Sequence, residues 1–212
     1  MKKLLLTLFL SFGLISSAYS VECYIEYMTA YDSENFDTAI KVCTPLAENG
    51  DAWSQETLGL IYYRNENYRE ALKWSKLSAE QGNAAAQNLI GLMYEEGKGT
   101  LTDYKKAIKW YRKSAANGNI NAQNNMGLMY EMGYGVLQNY QVSASWYKKA
   151  ADAGSATAQM NLGIFYCDGL GVEKNLSKSK ALLSNAYESG DLSSGQQGFL
   201  EKMWEYCELA NY

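Results

Sequence analysis

Residues 120–155 read INAQNNMGLMYEMGYGVLQNYQVSASWYKKAADAGS, and the segments on either side repeat this pattern at a spacing of 36 residues. A glycine in the first half and a tryptophan in the second half of the unit mark the period most clearly. They are Gly91, Gly127, Gly163, Trp74, Trp110 and Trp146. A fixed period of this length is typical of stacked helical hairpins, each of which buries its apolar face on its neighbours. We therefore predict an all-α fold, an α-solenoid of antiparallel helix pairs.

The period divides the chain into repeats and end pieces. Four repeats are predicted at 51–83, 84–119, 120–155 and 156–191. In the first repeat the glycine and the tryptophan, Gly59 and Trp74, are 15 residues apart instead of 19, so four residues are missing from the loop between its two helices. Residues 21–50 read as a degenerate helical hairpin. Residues 192–212 have lost the repeat pattern but keep one apolar stripe, so we predict a capping helix, which solenoids need at their ends.

The repeated glycines and tryptophans predict how the two helices of a repeat pack. Gly91, Gly127 and Gly163 fall in the middle of the first helix, where glycine costs about 1 kcal/mol relative to alanine. A close approach of the second helix, which leaves no room for a Cβ, would explain this repeated cost. The tryptophans of the second helix are predicted to form core between repeats. The alternative is a stacking platform for sugars or bases.

The first 20 residues predict a secretory signal peptide. Lys2 and Lys3 precede an almost wholly apolar run, and Ala18-Tyr19-Ser20 is a small-x-small cleavage site. The alternative, an uncleaved anchor, is disfavoured because the apolar run is short for a bilayer span. Cleavage near Ser20 removes two lysines and no acidic residue, which takes the net charge from −4 to −6 at pH 7. We expect a periplasmic or secreted protein without stable membrane insertion after cleavage.

Export would place the four cysteines in an oxidising compartment, where they can form disulfides. Cys23 and Cys43 lie about equally far from a turn near Asp32 and Ser33, so they face each other across a hairpin. Cys167 ends the first helix of the last repeat, and Cys207 ends the helix after it, which is expected to run roughly parallel and alongside. We predict the pairs Cys23–Cys43 and Cys167–Cys207; buried free thiols are the alternative.

The pattern A-Q-x-x-x-G-x-x-Y, then G-x-G, then A-x-x-W-Y-x-x-A, then G, resembles the Sel-one-like repeat, a relative of the tetratricopeptide repeat. In the third repeat it is carried by Ala122, Gln123, Gly127, Tyr130, Gly133, Gly135, Trp146, Tyr147, Ala150, Ala151 and Gly154. The resemblance covers roughly residues 38–191. It implies a right-handed superhelix of antiparallel helix pairs that works as a protein-binding scaffold.

The relation to tetratricopeptide repeats also implies that the first helices line a concave groove. We define the groove positions as those three before and one, four and five after the mid-helix glycine. The predicted partner-binding residues are Tyr63, Asn88, Leu92, Glu95, Glu96, Asn124, Leu128, Glu131, Met132 and Asp168. The same count adds Glu56, Leu60, Arg64, Met160, Ile164 and Cys167. We expect this surface to be acidic, with solvated carboxylates, and to suit a protein with a basic patch.

The sequence offers little for catalysis or for cofactors. It contains no histidine, the commonest general base and metal ligand. The G-x-G loops follow helices, whereas a nucleotide fingerprint follows a strand, so we interpret them as tight loops. Glu95 and Glu131 are near enough for a pair of acid–base carboxylates, but no apolar pocket around them is evident. We predict no metal site, no cofactor and no nucleic acid, since an acidic chain lacks the charge that phosphates need.

These observations favour a non-enzymatic periplasmic scaffold that binds a protein through the groove. One alternative is an immunity protein that neutralises a secreted antibacterial toxin such as a phospholipase, because exported members of this repeat family protect bacteria in that way. A second alternative is an envelope hydrolase acting on peptidoglycan or a β-lactam. A penicillin-binding branch of the family carries a cysteine pair in each repeat, and this chain does not.

Overall fold

The computed structural model describes residues 15–31 and 35–209, and every regular element in this part of the chain is an α-helix. The helices are α1 (Ile15–Ala30), α2 (Asp37–Glu48), α3 (Ala52–Arg64), α4 (Tyr68–Glu80), α5 (Ala84–Glu96), α6 (Tyr104–Ala116), α7 (Ile120–Met132), α8 (Tyr140–Asp152), α9 (Ala156–Asp168), α10 (Leu176–Glu188) and α11 (Ser194–Leu209). The predicted all-α class is confirmed. Residues 1–14 of the predicted signal peptide, the turn at Asp32 and Ser33, and the last residues of the predicted cap lie outside the described residues.

The helices form two compact units, residues 1–103 with α1–α5 and residues 104–212 with α6–α11. In the first unit each helix packs on the next, and both α1 and α5 also contact α3. In the second unit successive helices again pack together, and α11 also contacts α9. Connections of a few residues make neighbouring helices antiparallel, which gives the helix pairs that the period predicts.

Each first helix of a repeat begins at a side-chain cap. Asn119 Oδ1 accepts a hydrogen bond from the Ala122 amide at 2.8 Å, and Asn83 does the same for Ala86 at 2.9 Å. Asp51 and Ser155 cap the other two first helices in this way. Such a cap contributes about 1 kcal/mol. The boundaries of the helices therefore follow from short polar residues at one repeated position.

Close helix packing explains the mid-helix glycines Gly127 and Gly163, as predicted. A Cβ added to Gly127 of α7 would lie 2.5 Å from Cδ1 of Tyr147 on α8. A Cβ at Gly163 of α9 would lie 2.9 Å from Cδ2 of Leu183 on α10. In the first unit a Cβ at Gly59 would meet the hydroxyl of Ser75. The second helix of the repeat thus occupies the space in which a side chain would stand.

The tryptophan prediction is correct only for the first repeat. Trp74 is buried, but Trp110 and Trp146 are half-buried, and the ammonium groups of Lys113 and Lys149 lie over their rings at 4.5 and 4.2 Å. In these two repeats the residue after the tryptophan, Tyr111 or Tyr147, is fully buried instead. Successive residues of a helix point about 100° apart, so only one of the two can face the neighbouring helix.

The glutamine of the A-Q motif has a structural role that the sequence analysis missed. Gln55 Nε2 donates to the carbonyl oxygen of Ala47 at 2.9 Å, and Gln87 Nε2 donates to that of Ala79 at 3.1 Å. Both acceptors lie in the last turn of the preceding helix, where carbonyls lack intrahelical donors. The motif therefore joins the end of one helix pair to the start of the next within the first unit.

The G-x-G loops are tight loops, as interpreted. In the second unit Gly133 ends α7 in the left-handed conformation, with φ of 72°. A Cβ at Gly135 would lie 2.7 Å from the carbonyl carbon of Tyr104, and the ring of Tyr134 stacks on that of Tyr104 with centroids 4.6 Å apart. The Tyr134 amide donates to Met129 O rather than pointing at a ligand. The two glycines are needed for a turn and for a close approach.

Disulfides tie the terminal helices to the units. Cys23 of α1 is bonded to Cys43 of α2, with Cα atoms 4.9 Å apart. Cys207 of α11 is bonded to Cys167 of α9, with Cα atoms 5.8 Å apart. These are the two pairs that the sequence predicts. A helix that would otherwise fray at a chain end is thus held on its unit by a covalent bond.

Candidate protein-binding faces

The groove positions of the first unit are built on α3 and α5. Asn88, Leu92 and Glu95 of α5 are half-buried, and so is Tyr63 of α3. Glu96, the last residue of α5, is exposed. The first unit therefore presents amide, apolar and phenolic groups at these positions, next to carboxylates.

The carboxylate of Glu96 is neutralised within the protein. The Tyr63 hydroxyl donates to Glu96 Oε2 at 2.5 Å, and Lys98 Nζ lies 3.0 Å from the same oxygen. Burial, together with the hydrogen bond to Glu96, raises the pKa of Tyr63 to about 12. The same carboxylate raises the pKa of Lys98 above its usual range. Because the Lys98 ammonium pairs with the Glu96 carboxylate, the cluster adds no net negative charge to the face.

In the second unit the groove positions are carried by α7 and α9. Asn124 and Leu128 are half-buried, while Met132 is 49% exposed and Asp168 is exposed. Asn124 Oδ1 accepts a hydrogen bond from Asn161 Nδ2 of α9 at 3.2 Å. The amide oxygen of Asn124 is therefore already engaged, and Leu128, Met132 and Asp168 remain the groups most accessible to a partner.

The expectation of solvated carboxylates is wrong for Glu131. Its Oε2 accepts a hydrogen bond of 2.5 Å from the hydroxyl of Tyr147, which is fully buried between helices. Burial and this hydrogen bond raise the pKa of Tyr147 well above its usual range. The carboxylate satisfies a phenol that would otherwise be left unpaired in the core, so it has a structural role. The same pair of residue types recurs one repeat earlier as Glu95 and Tyr111, also 16 residues apart, but this spacing alone does not predict a contact between two helices.

Terminal helices bury some of the groove positions in the first and last repeats. At the position of Asn88 and Asn124, the first repeat has Glu56, which is 8% exposed, and the last has Met160, which is 5% exposed. The terminal helices are the cause, because α1 packs on α3 and α11 packs on α9. Cys167, another predicted groove position, is buried in its disulfide. Burial raises the pKa of the Glu56 carboxyl to about 7.

The described residues offer no cluster for metal binding. In residues 15–31 and 35–209, no group of three His, Cys, Asp or Glu side chains could hold a metal ion. None of the described helices is both long enough and apolar enough to span a bilayer. The predicted groove positions present a mixture of amide, apolar and charged side chains.

Comparisons with solved structures support the same fold. A protective antigen present in uropathogenic Escherichia coli strains, which displays an SLR fold, is 33% identical with a TM-score of 0.73. That similarity covers 83% of this chain but 38% of the antigen. A Sel1 repeat protein from Oxalobacter formigenes is 28% identical with a TM-score of 0.72, over 84% of this chain and 75% of that one. A Klebsiella pneumoniae structure, 17% identical with a TM-score of 0.59 over 92% and 97% of the two chains, shares the fold.

No curated protein matches the chain. The Sel1 repeat profile matches residues 58–83, 84–119, 120–155 and 156–191, so the matched residues make up more than half of the chain. The profile starts the first repeat inside α3, whereas the sequence pattern starts it at residue 51. With four matched repeats and successive helix pairs in both units, this chain belongs to the Sel1 repeat family.

Proposed function

We propose that this protein is a non-enzymatic periplasmic scaffold that binds a protein partner through the groove positions of α5 and α7. Sel1 repeat proteins generally serve as scaffolds for protein interaction. The observation that carries the proposal is the uneven coverage of equivalent positions. At the position of Asn88 and Asn124, the equivalent residues Glu56 of α3 and Met160 of α9 are buried under a terminal helix, whereas Asn88 of α5 and Asn124 of α7 stay partly exposed.

The exposed groups indicate what kind of partner fits. Leu92 and Leu128 are half-buried and Met132 is exposed, so each unit offers apolar area for a partner. The whole chain carries a net charge of −4, while Lys98 neutralises one carboxylate of the first unit. A partner with apolar anchors and a basic patch suits this surface, and the charge acts mainly on the rate of association.

The periplasmic location rests on the leader sequence and on the cysteines. Residues 1–20 have the composition of a signal peptide, and all four cysteines are in disulfides, which is compatible with an oxidising compartment. The test is N-terminal sequencing of the protein after cell fractionation. We expect a mature chain that starts at Val21 in the periplasmic fraction. A cytoplasmic protein with an intact N-terminus would refute this part of the proposal.

The binding test uses substitutions that keep the fold. After crosslinking in envelope extract identifies a partner, its association is measured with Glu95→Gln/Glu131→Gln, in which the amide oxygen introduced at position 131 can still accept the hydrogen bond from the Tyr147 hydroxyl. We expect slower association, with the difference shrinking at high salt. Leu128→Arg should weaken binding at any salt concentration.

The matched control is Lys105→Gln/Lys109→Gln, two exposed lysines of α6 outside the groove positions. It should bind like the wild type. If this variant loses binding while the groove variants keep it, the partner uses another surface.

Immunity against a secreted toxin is a narrower form of the same proposal. It adds a specific partner, such as a periplasmic phospholipase, to the same groove positions. Inhibition of the purified toxin of a neighbouring gene by the mature chain would support it. If the purified chain itself hydrolysed peptidoglycan or a β-lactam, the scaffold proposal would be replaced by the enzyme alternative.

A further inference from the structure

A cleft of about 370 Å³ lies in the second unit between α10 and α11, away from the groove positions. Its lining residues are Ser184, Tyr187, Leu200, Glu201, Trp204 and Glu205. They recur three or four residues apart on each helix, so each helix turns one continuous stripe toward the cleft. The repeat pattern has ended before α11, which means that this cleft is a feature of the cap and not of the repeats.

The cleft has an apolar floor and aromatic walls. Leu200 is almost completely buried at its base, Trp204 is half-buried, and Tyr187 leaves 53% of its surface exposed. Exposed aromatic surface that lines a concavity is costly in water and is typical of binding sites. The walls can therefore hold a flat or extended apolar group.

Two carboxylates at the rim of the cleft favour a positively charged ligand group. Glu201 and Glu205 are exposed and stand one helical turn apart, with Cβ atoms about 6 Å from each other. Within the described part of the chain, neither carboxylate forms a salt bridge. Two like charges at this spacing repel each other slightly, and a bound cation would remove that cost.

We propose that this cleft binds an arginine side chain of a partner protein. The methylene stem would lie on Leu200, the guanidinium plane would stack on Trp204 or Tyr187, and its N–H groups would reach the carboxylates of Glu201 and Glu205. Arginine suits the cleft better than lysine, because a planar fork can stack on a ring and contact two carboxylates at once. The inference is independent of the groove positions proposed above.

The test is an NMR titration of the ¹⁵N-labelled mature chain with the peptide acetyl-Gly-Arg-Gly-Arg-Gly-amide. We expect saturable shifts of the Trp204 indole N–H and of the amides of Tyr187, Glu201 and Glu205. The same peptide with citrulline, which keeps the shape without the charge, should give no saturable shift. The lysine peptide should bind at least threefold more weakly. Comparable binding of either replacement peptide would overturn the assignment to arginine.

Variants that change the net charge equally, inside or outside the cleft, distinguish binding in the cleft from general electrostatic attraction. Glu201→Gln/Glu205→Gln and Tyr187→Ser should each raise Kd for the arginine peptide at least threefold. Glu80→Gln/Glu173→Gln changes the net charge by the same amount at exposed residues outside the cleft and should leave Kd unchanged. Equal weakening by both double variants, or shifts confined to residues outside the cleft, would overturn the proposal.

Discussion

Glu131 shows how one residue of the repeat can serve the core while it lies at a surface position. Its side chain starts at a groove position of α7, yet one carboxylate oxygen is bonded to the buried hydroxyl of Tyr147. An unpaired phenol in the core would cost about 1–3 kcal/mol. Reversing the charge at Glu131 would therefore test stability and binding together, and the glutamine substitution separates them because it keeps an acceptor.

Gly127 gives the clearest prediction at the level of single residues. Gly127→Ala should destabilise the second unit by about 1–3 kcal/mol, because its Cβ would overlap the ring of Tyr147, which is fully buried and cannot move aside. Gly198→Ala in α11 is the matched control. Nothing lies within 4 Å of a Cβ there, so the better helix propensity should stabilise by up to about 1 kcal/mol. Chemical denaturation of both variants checks the opposite signs.

Glu56 predicts how stability depends on pH. Burial raises its pKa to about 7 from an ordinary value of 4.5, so the folded protein holds this proton more tightly than the unfolded chain. The stability that this proton contributes is complete below about pH 4.5 and is lost as the pH rises through 7. Glu56→Gln is neutral at every pH. It should match the wild type near pH 4 and be more stable at pH 8, by up to about 3 kcal/mol.

The measurement is thermal unfolding of both proteins across this pH range. Glu48→Gln, at an exposed position of α2, is the control and should give no gain that grows with pH. A constant difference between Glu56→Gln and the wild type at all pH values would show that the effect comes from packing and not from ionisation.

At the scale of elements, the terminal helices depend on their disulfides more than the inner helices do. The chain segments between the bonded cysteines span 20 and 40 residues, for which loop closure accounts for about 3–4 kcal/mol each. Cys167→Ser/Cys207→Ser should therefore raise amide hydrogen exchange in α11 first, with little change in α7 and α8. The matching variant, Cys23→Ser/Cys43→Ser, should do the same for α1. A uniform loss of protection from hydrogen exchange across all helices would contradict the view that each disulfide stabilises mainly its own terminal helix.

The helices, their pairing and the reason for the mid-helix glycines could be predicted from the sequence, because they depend on contacts that recur every 36 residues. The choice between Trp146 and Tyr147 as the core residue could not, since both are apolar neighbours and the helix phase was not known to within one residue. The Glu131–Tyr147 hydrogen bond was not predicted either, because a recurring spacing of 16 residues does not show that two side chains on different helices meet. The sequence also did not show that α1 covers Glu56 and that α11 covers Met160, because neither terminal helix carries the repeat motif.

At the scale of the whole molecule, the terminal helices α1 and α11 each cover an apolar face of the unit to which they belong. In the second unit, α11 covers Met160 and Leu183 through a cluster that includes Leu200. Each such side chain contributes about 1.5–3 kcal/mol when it is removed from water. A chain ending at residue 191, with Cys167→Ser to avoid a free thiol, should therefore associate with itself in a concentration-dependent way, because a repeat without a cap offers a surface that another repeat can cover.

Sedimentation velocity over a range of protein concentrations measures this association, and circular dichroism at 222 nm shows whether the truncated chain keeps its helices. The full-length Cys167→Ser/Cys207→Ser variant is the control, since it loses the covalent bond but keeps α11, and it should sediment like the wild type. Association with retained helicity is the expected result, because each repeat still packs on its inner neighbour while the outer face of α9 and α10 is left uncovered. A truncated chain that stays helical and sediments as the full-length protein does would mean that α11 is an appendage, and that the covered position of Met160 has another cause.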